Sequence, residues 1–294
     1  MRLGCNSASA YRNDFLPCDA RAPVSAVRQR WSLDSIDWCA IRHDAAGEHE
    51  ALFYLVVAAS FMESATDRYT ANLMAQFRGD TEVAAWLEQH WLPEELQHGR
   101  ALRRYAQIVW PRFQWDRVYA SFLEEFSTHC CAEELEPTRT REMASRCVVE
   151  MATASYYTTL SRISRDPVLS TIARRIADDE IRHYKHFYRF FCRFQQIEPE
   201  NRRGVFTALL NRLRMIDGQD SFIATKYVYR NRHPGEPFDA RVYRRLRRCF
   251  RQLIGSHFPR RMCVQMLLKP LDLSPQVRRI ALPMTETLAR WVVL

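Results

Sequence analysis

The sequence contains little glycine and no long apolar stretch. Only 8 of its 294 residues are glycine, and few signals of tight hairpin turns occur, which argues against a protein built from β-hairpins. The longest apolar run, from Ala51 to Met62, is interrupted only by Ser60 and is too short to cross a bilayer. No apolar segment follows the early Arg2, so we expect no secretory signal peptide. These absences predict a cytoplasmic protein with no membrane partner.

Paired cysteine motifs are also missing. The nine cysteines are scattered and form no Cys-x-x-Cys motif, and an odd number fits a disulfide framework poorly. We therefore expect reduced thiols, as is usual in the cytoplasm. The stretch His129-Cys130-Cys131 lacks the ligand separations of a zinc site, which favours packing or surface roles for these residues.

Lysine is almost absent, although the chain is basic. Lysine occurs only at positions 185, 226 and 269, so arginine supplies nearly all of the positive charge behind a net charge of +9. Arginine binds carboxylates and phosphates through two parallel hydrogen bonds, which suits an acidic protein partner or a phosphate-bearing substrate. Arginine-biased codon usage is the alternative explanation. No recognition motif supports a nucleic-acid partner.

Apolar residues recur at helical spacing through most of the chain, which predicts an all-α fold. We expect helices over residues 48–77, 80–109, 118–126, 138–165 and 166–196. Asp80 or Thr81 is the predicted N-cap of the second helix and Asp166 that of the last, and Gly79 is a predicted C-terminal cap. Pro93 indicates either a kink or a new helix that has Pro93 in its first turn.

The pattern divides the chain into three parts. Residues 1–45 are polar and read as an extension without visible chemistry, residues 46–198 as a four-helix bundle, and residues 199–294 as an arginine-rich helical part packed on it. Within the last part, residues 241–254 form an amphipathic segment. Its arginines are either a docking surface for an acidic partner or an ordinary solvated helix face.

Two polar side chains interrupt the apolar stripe of the helix predicted at 166–196. Glu180 and His183 fall on the face formed by apolar residues that recur at helical spacing: Leu169, Ile172, Ala173, Ile176, Phe187 and Phe191. A buried charged carboxylate is costly unless a metal or a partner compensates it. The pair therefore predicts a metal site or a buried ion pair.

Glu95 and His98 repeat this arrangement on an earlier helix, and each pair has an inward glutamate upstream. Glu63 precedes Glu95 by 32 residues, and Glu150 precedes Glu180 by 30 residues. Met62 could be the inward residue in place of Glu63, which would make Glu63 a surface residue. Two such sets on four helices are the ligands of a di-iron site in a helical bundle.

The ligand set can be assigned to two metals. Glu63 and His98 would bind one iron, Glu150 and His183 the other, and Glu95 and Glu180 would bridge them. Four carboxylates balance the charge of two Fe²⁺, and a carboxylate-rich set favours iron, with manganese as the alternative, over structural zinc.

The acids that precede the bridging glutamates are candidates for the shell around the metals. A metal-bound histidine needs a partner for its second ring nitrogen, and we expect Glu94 and Asp179 to bond the histidine of the opposite helix. The alternative is that both are ordinary acids. His90, His129 and His186 have no place in this scheme and are expected at the surface or in packing.

Three motifs resemble those of the soluble acyl-carrier-protein desaturases, which are ferritin-like di-iron proteins. Trp91-Leu-Pro-Glu-Glu-Leu-Gln-His-Gly99 is similar to their Glu-Glu-x-x-His-Gly motif, Ile176-Ala-Asp-Asp-Glu-Ile-Arg-His183 to their second Glu-x-x-His stretch, and Glu150-Met-Ala-Thr153 to their Glu-x-Ala-Thr. The resemblance covers roughly residues 50 to 190.

The resemblance implies a ferritin-like bundle with two irons per chain, commonly a homodimer, that activates O2 and desaturates an acyl chain. It also implies an acyl carrier protein that presents the substrate and a ferredoxin-type electron donor. Thr153 matches a threonine beside the dioxygen site and is our candidate catalytic residue.

Other functions fit the same ligand set. The same bundle would serve a hydroxylase, an aldehyde-deformylating enzyme or an N-oxygenase of a specialised-metabolite pathway. The N-oxygenases that this chain resembles have an extra histidine one turn before the last Glu-x-x-His. Ile176 occupies that position here, which counts against an N-oxygenase. A non-enzymatic iron-binding protein and a metal-free binding module are the remaining alternatives.

Overall fold

The computed structural model describes residues 31–44, 49–130, 135–216 and 218–293, with side chains up to residue 286. These ranges contain helices and turns and no strand, which confirms the all-α prediction. The α-helices in chain order are α1 Glu50–Ser64, α2 Asp67–Gln76, α3 Thr81–Trp86, α4 Leu92–Val109, α5 Trp115–Ser127, α6 Arg139–Ile163, α7 Pro167–Ile197, α8 Arg202–Ile216, α9 Gln219–Arg232, α10 Ala240–Gly255, α11 Arg260–Leu268 and α12 Pro275–Val293.

Helices α1, α4, α6 and α7 form the predicted four-helix bundle. α6 packs along α7, α1 packs along α4, and α4 also contacts α7. Two apolar clusters fill the interior: one includes Tyr54, Phe61, Tyr105 and Ile172, and the other includes Trp91, Met143, Phe187 and Phe194. On α7 the first cluster ends at Ala177 and the second begins at Tyr184. Glu180 and His183 therefore lie at the boundary between the two clusters.

The prediction of a single helix from Glu48 to Phe77 is wrong, because α1 ends at Ser64 and α2 begins at Asp67. The hydroxyl of Tyr119 donates to the Ser64 carbonyl at 2.7 Å, which is the acceptor that a continuous helix would offer to the N–H of Arg68. That N–H bonds instead to the carbonyl of Ala65 at 3.0 Å. A contact from α5 therefore replaces one helical hydrogen bond and ends α1.

The predicted glycine cap at Gly79 is also wrong. α2 already ends at Gln76, where the N–H of Phe77 bonds back to the carbonyl of Leu73, and Gly79 lacks the positive φ that such a cap requires. The predicted N-cap that follows is confirmed, since Oδ1 of Asp80 accepts a hydrogen bond from the N–H of Val83 at 3.1 Å.

Pro93 lies in the first turn of a new helix, which was one of the two alternatives. α3 runs into a π-helical turn, Leu87–Trp91, and α4 begins directly after it at Leu92. A backbone N–H in the first turn has no partner within the helix, so the missing N–H of Pro93 costs no hydrogen bond. α7 begins as predicted, because Oδ1 of Asp166 accepts from the N–H of Leu169 at 2.8 Å.

The helices after Glu198 cover the bundle. α8 packs on α6, α9 on α1 and α5, and α11 on α6. α10 places its predicted apolar face, Val242, Leu246 and Phe250, against the first apolar cluster, where the rings of Phe250 and Tyr54 lie 6.2 Å apart. The amphipathic prediction for this segment is therefore confirmed.

The cysteines differ in state. Cys39, Cys130, Cys147, Cys249 and Cys263 are free thiols. Cys192 is disulfide-bonded, so the expectation that all thiols are reduced is wrong for this residue. None of the helices that the structure describes has both the length and the apolar character needed to cross a membrane.

Candidate metal centre

The structure brings all six predicted ligand residues into one buried centre in the bundle. Each of the four helices contributes: α1 gives Glu63, α4 gives Glu95 and His98, α6 gives Glu150, and α7 gives Glu180 and His183. All six are at most 6 % exposed. Glu63 therefore points inward, and its neighbour Met62 packs at the edge of the first apolar cluster.

The candidate ligand atoms form two groups that overlap. The first group consists of Glu63, Glu95, His98 and Glu180, and the second of Glu95, Glu150, Glu180 and His183; within each group the ligand atoms lie within 4.8 Å of one another. Glu95 and Glu180 belong to both groups. This is the arrangement expected for two metal positions joined by two bridging carboxylates.

The two histidines have the orientation that metal binding requires. Nδ1 of His98 lies 3.3 Å from Oε1 of Glu180, and Nδ1 of His183 lies 3.0 Å from Oε1 of Glu95. Neither Nδ1 atom, nor Oε1 of Glu180, makes a hydrogen bond, although all three are buried. Buried polar atoms without partners are rare in proteins, and these three face one another as the donor atoms of a cation site would.

The opposite nitrogen of each histidine is held by an acid from the facing helix. Nε2 of His98 lies 3.1 Å from Oδ2 of Asp179, and Nε2 of His183 lies 2.7 Å from Oε2 of Glu94. A hydrogen bond at Nε2 leaves the Nδ1 lone pair available for a metal. The structure thus places both acids beside the histidines that we expected them to contact.

Arg182 joins these two acids, and the sequence did not reveal this role. Its guanidinium donates to both carboxylate oxygens of Glu94 at 2.8 Å and to Oδ1 of Asp179 at 2.6 Å. Glu94 and Asp179 each bond one of the two histidines, so Arg182 connects the two acids that orient them. Only its position between two acids in space could have indicated this, since Glu94 is 88 residues away.

Trp31, in the segment that we described as an extension without visible chemistry, also contacts the centre. Its indole N–H donates to Oδ2 of Asp179 at 2.7 Å, and its ring is stacked 6.3 Å from that of His98. The side chain of Gln97 donates to the Trp31 carbonyl at 3.1 Å. Trp31 therefore packs against one side of the centre.

Three further side chains contact the ligand carboxylates. Thr153 donates to Oε2 of Glu180 at 2.9 Å. The indole N–H of Trp91 donates to Oε1 of Glu150 at 3.2 Å, and the hydroxyl of Tyr157 donates to Glu63. Thr153, the candidate catalytic residue, therefore lies beside a carboxylate that the two ligand groups share.

Burial and charge set opposite protonation states within the centre. Burial and the nearby Glu180 raise the pKa of Glu95 well above its usual range, and burial raises the pKa of Glu150 to about 8. Burial also opposes ionisation of Glu180, but the close approach of His183 and His98 and their positive charge outweigh burial and lower the pKa of Glu180. Without a cation, the centre therefore holds protons on Glu95, on Glu150 and on its two histidines.

The supporting acids stay ionised for a similar reason. Burial opposes the charge of Asp179, but the hydrogen bond from His98 and the charge of Arg182 hold its pKa at about 2. The pKa of Glu94 is lowered in the same way, against its burial, by His183 and Arg182. Both acids are thus permanent acceptors for the histidines.

The other histidines lie outside the centre, as expected. His186 stacks on Trp86 with ring centroids 5.0 Å apart, and burial with neighbouring positive charge lowers its pKa to about 4. Nε2 of His129 lies 3.1 Å from the side-chain nitrogen of Gln219. His90 is half-buried at the π-helical turn.

The donor set fits a pair of divalent ions. Two bivalent cations would neutralise four carboxylates, and a set of four carboxylates and two imidazoles suits iron or manganese. The unpartnered Nδ1 atoms and the buried, mutually repelling carboxylates are the features that such ions would satisfy.

Comparison with known families supports this interpretation. The model of a family described as fatty acid desaturase matches residues 12–220, a range that contains all six candidate ligands. No curated protein matches the chain by sequence.

Proposed function

The chain belongs to the fatty acid desaturase family, and we propose that it is a di-iron oxidoreductase that desaturates an acyl chain carried on an acyl carrier protein. The observation that carries the proposal is the pair of overlapping ligand groups, buried in the bundle and sharing Glu95 and Glu180. Membership of this family supports the parts of the proposal that make the protein an oxidoreductase and its reaction the desaturation of an acyl chain.

The residues of the chain have distinct roles in this proposal. Glu63, Glu150, His98 and His183 would each bind one metal, and the two shared glutamates would bridge the pair. Asp179 and Glu94 would orient the histidines through Nε2. When bound, two irons supply the activation of O2 and the removal of hydrogen from an unactivated C–H bond.

Thr153 is the proposed catalytic residue. Its hydroxyl bonds to a shared carboxylate at 2.9 Å and can donate or accept a proton beside the metals. The six ligand residues beside it are buried between the two apolar clusters, which protects a reactive centre from side reactions.

The partners follow from the chemistry. Reduction of O2 to water takes four electrons and desaturation supplies two, so an external donor must provide the other two; we propose a ferredoxin-type protein. The arginine-rich, basic chain supports an acidic carrier. A homodimer and a cytoplasmic location stay predictions.

The first experiment is reconstitution with Fe²⁺ under reducing conditions, for the wild type, Glu180→Ala and the control Glu124→Ala, whose side chain is exposed on α5. We expect about two irons per chain and an optical spectrum of the O2-oxidised site in the wild type and control, and loss of both in Glu180→Ala. Loaded protein is then supplied with acyl carrier protein thioesters, a reductant and O2, and products are identified by mass spectrometry.

The outcomes separate the alternatives. Iron absent from the wild type would refute the metal centre. Iron bound without O2 consumption on any acyl substrate would favour an iron-binding protein, and a hydroxylated or shortened product would replace desaturation by another oxidation in the same bundle.

A further inference from the structure

The outer face of α10 carries a stripe of exposed arginines. Arg241, Arg244, Arg245 and Arg248 are all exposed and recur at positions i, i+3, i+4 and i+7, which places them on one side of the helix over about 10 Å. The opposite side holds the apolar residues that pack on the bundle. We call these four residues the arginine stripe.

The stripe has no acidic residues on its own helix. The 16 residues of α10 include six arginines and neither aspartate nor glutamate. Like charges at these spacings repel one another and destabilise a helix. Asp239, which precedes the helix, is occupied as its N-cap, since Oδ1 accepts from the N–H groups of Arg241 and Val242. Nothing in α10 offsets the repulsion.

Two partly exposed arginines on other helices have acidic partners. Arg103 pairs with Asp116, and Arg193 pairs with Asp80 and Glu82. Within the described residues, no carboxylate forms a salt bridge with a member of the arginine stripe. The stripe therefore lacks a carboxylate paired with it, and a partner with the opposite charge would stabilise it.

The helix that carries the stripe lies beside α1, the helix that carries the candidate metal ligand Glu63. α10 packs against α1, and a groove of about 340 Å³ between them is lined by His49, Glu50, Ala51, Leu246, Cys249 and Phe250. From Glu50 at the start of α1 to Glu63 at the centre is 13 residues, or about 20 Å along the helix. A chain attached to a partner on α10 would have to span that length.

We propose that the arginine stripe is the docking surface for an acidic helix of a protein partner. Carboxylates at the same i, i+3, i+4, i+7 spacing on a partner helix would face the four guanidinium groups. On the proposed function, on which this identification rests, the partner is the carrier that presents the acyl chain. The stripe lies beyond residues 12–220, so the family match does not include it.

The test measures binding rather than turnover. Fluorescently labelled stearoyl acyl carrier protein is titrated with the full-length chain, metal-free and metal-loaded, at low and physiological salt. The variant replaces all four stripe arginines by glutamine. The control replaces four other exposed arginines by glutamine, at Arg78, Arg112, Arg165 and Arg203, so that the net charge changes equally. Circular dichroism verifies that both variants are folded.

We expect the stripe variant to bind the carrier at least about 10-fold more weakly, because it loses four charge pairs together. The control should lose less than about twofold. Equal losses in the two variants, or no loss in the stripe variant, would overturn the docking site. So would absence of carrier binding in the wild type, or tighter binding of a 20-bp DNA duplex or anionic phosphatidylserine vesicles. Failure of the proposed function would appear separately, as absent iron or absent product, with carrier affinity still measured.

Discussion

His98 and Asp179 are joined across the bundle by a contact of 3.1 Å between Nε2 and Oδ2. The contact connects α4 with α7 and turns the Nδ1 atom of His98 toward the carboxylates of the candidate metal centre. A structural acid therefore decides which nitrogen of His98 is available to a metal.

Replacement of Asp179 by asparagine should weaken metal binding. The variant keeps the size of the side chain but removes the charge that faces His98 and Arg182, so we expect affinity to fall by about 10- to 100-fold and the free energy of unfolding by about 1–3 kcal/mol. Chelator competition with Mn²⁺ and urea unfolding measure the two effects.

Asp116→Asn is the control for this variant, because it breaks an exposed pair with Arg103 and should change neither quantity appreciably. Wild-type metal affinity in Asp179→Asn would contradict the supporting role of the acid.

Much of the centre could be predicted from the sequence because its pattern is local. Glu180 and His183 are three residues apart, so helical geometry alone makes them neighbours, and an apolar stripe on both sides shows which way they face. The same reasoning applies to Glu95 and His98. Asp179 and Glu94 each directly precede a shared glutamate in the sequence, and this was enough to predict that they lie near the histidines.

The remainder depends on contacts between distant parts of the chain. Trp31 is 148 residues from Asp179, and no periodicity links them. The end of α1 is set by Tyr119 on another helix, whereas apolar residues recur at helical spacing past Ser64, at Tyr69, Leu73 and Phe77. Local patterns cannot show where a neighbouring element supplies a hydrogen bond.

Replacement of the shared Glu95 should separate metal binding from stability. Burial and Glu180 already disfavour the charge of Glu95, so Glu95→Gln should leave the metal-free protein within about 1 kcal/mol of the wild type. Because Glu95 belongs to both groups, both metals should be lost. Metal analysis and urea unfolding of the chelated protein test this.

Glu63→Gln provides the comparison, since Glu63 belongs to the first group alone. We expect about one metal per chain to remain. Retention of two metals in Glu95→Gln would exclude a bridging role.

The stability of the metal-free protein should fall as pH rises from about 5 to 8. The native pKa of Glu150 is about 8, against an ordinary value of 4.5, so the folded state binds that proton more tightly than the unfolded state does. The pKa values of His98 and His183 are raised too, because their carboxylate partners outweigh burial. Stabilisation from all three groups is present at low pH and is lost as pH rises through their native values.

Metal binding requires deprotonated ligands, so stabilisation by metal should grow over the same range. Thermal unfolding with and without chelator measures both trends, and each kcal/mol corresponds to roughly 2–4 °C in Tm. In metal-free Glu150→Gln, Tm should fall less steeply with rising pH than it does in the wild type. An unchanged dependence of Tm on pH would contradict the raised pKa of Glu150.

Gly99→Ala should destabilise the bundle where α4 approaches α1. A Cβ at this position would lie 2.6 Å from Oγ of Ser64 and 2.8 Å from its backbone nitrogen, so the helices would have to separate, at a cost of about 1–3 kcal/mol. Gly79→Ala, where a Cβ meets nothing within 4 Å, is the control and should be nearly neutral. Equal stabilities by urea unfolding would refute close packing at Gly99.

Thr153→Val should reduce product formation without loss of metal. Valine keeps the shape of threonine but cannot donate to Glu180, so we expect about two metals per chain and a turnover lower by about 10-fold or more. Thr171→Val, at an exposed position on α7, should behave as the wild type does. Full activity in Thr153→Val would remove its proposed catalytic role.

The π-helical turn from Leu87 to Trp91 fixes the register of α3 relative to α4. Such a turn holds about one residue more than an α-helical turn, so a one-residue deletion would rotate α3 by about 100°. Val83 and Trp86, now buried, would move out of the core, while Glu95 and His98, which follow the turn, would keep their spacing. Insertions and deletions should therefore be tolerated poorly here for reasons of packing, even though the ligand pair itself would survive them.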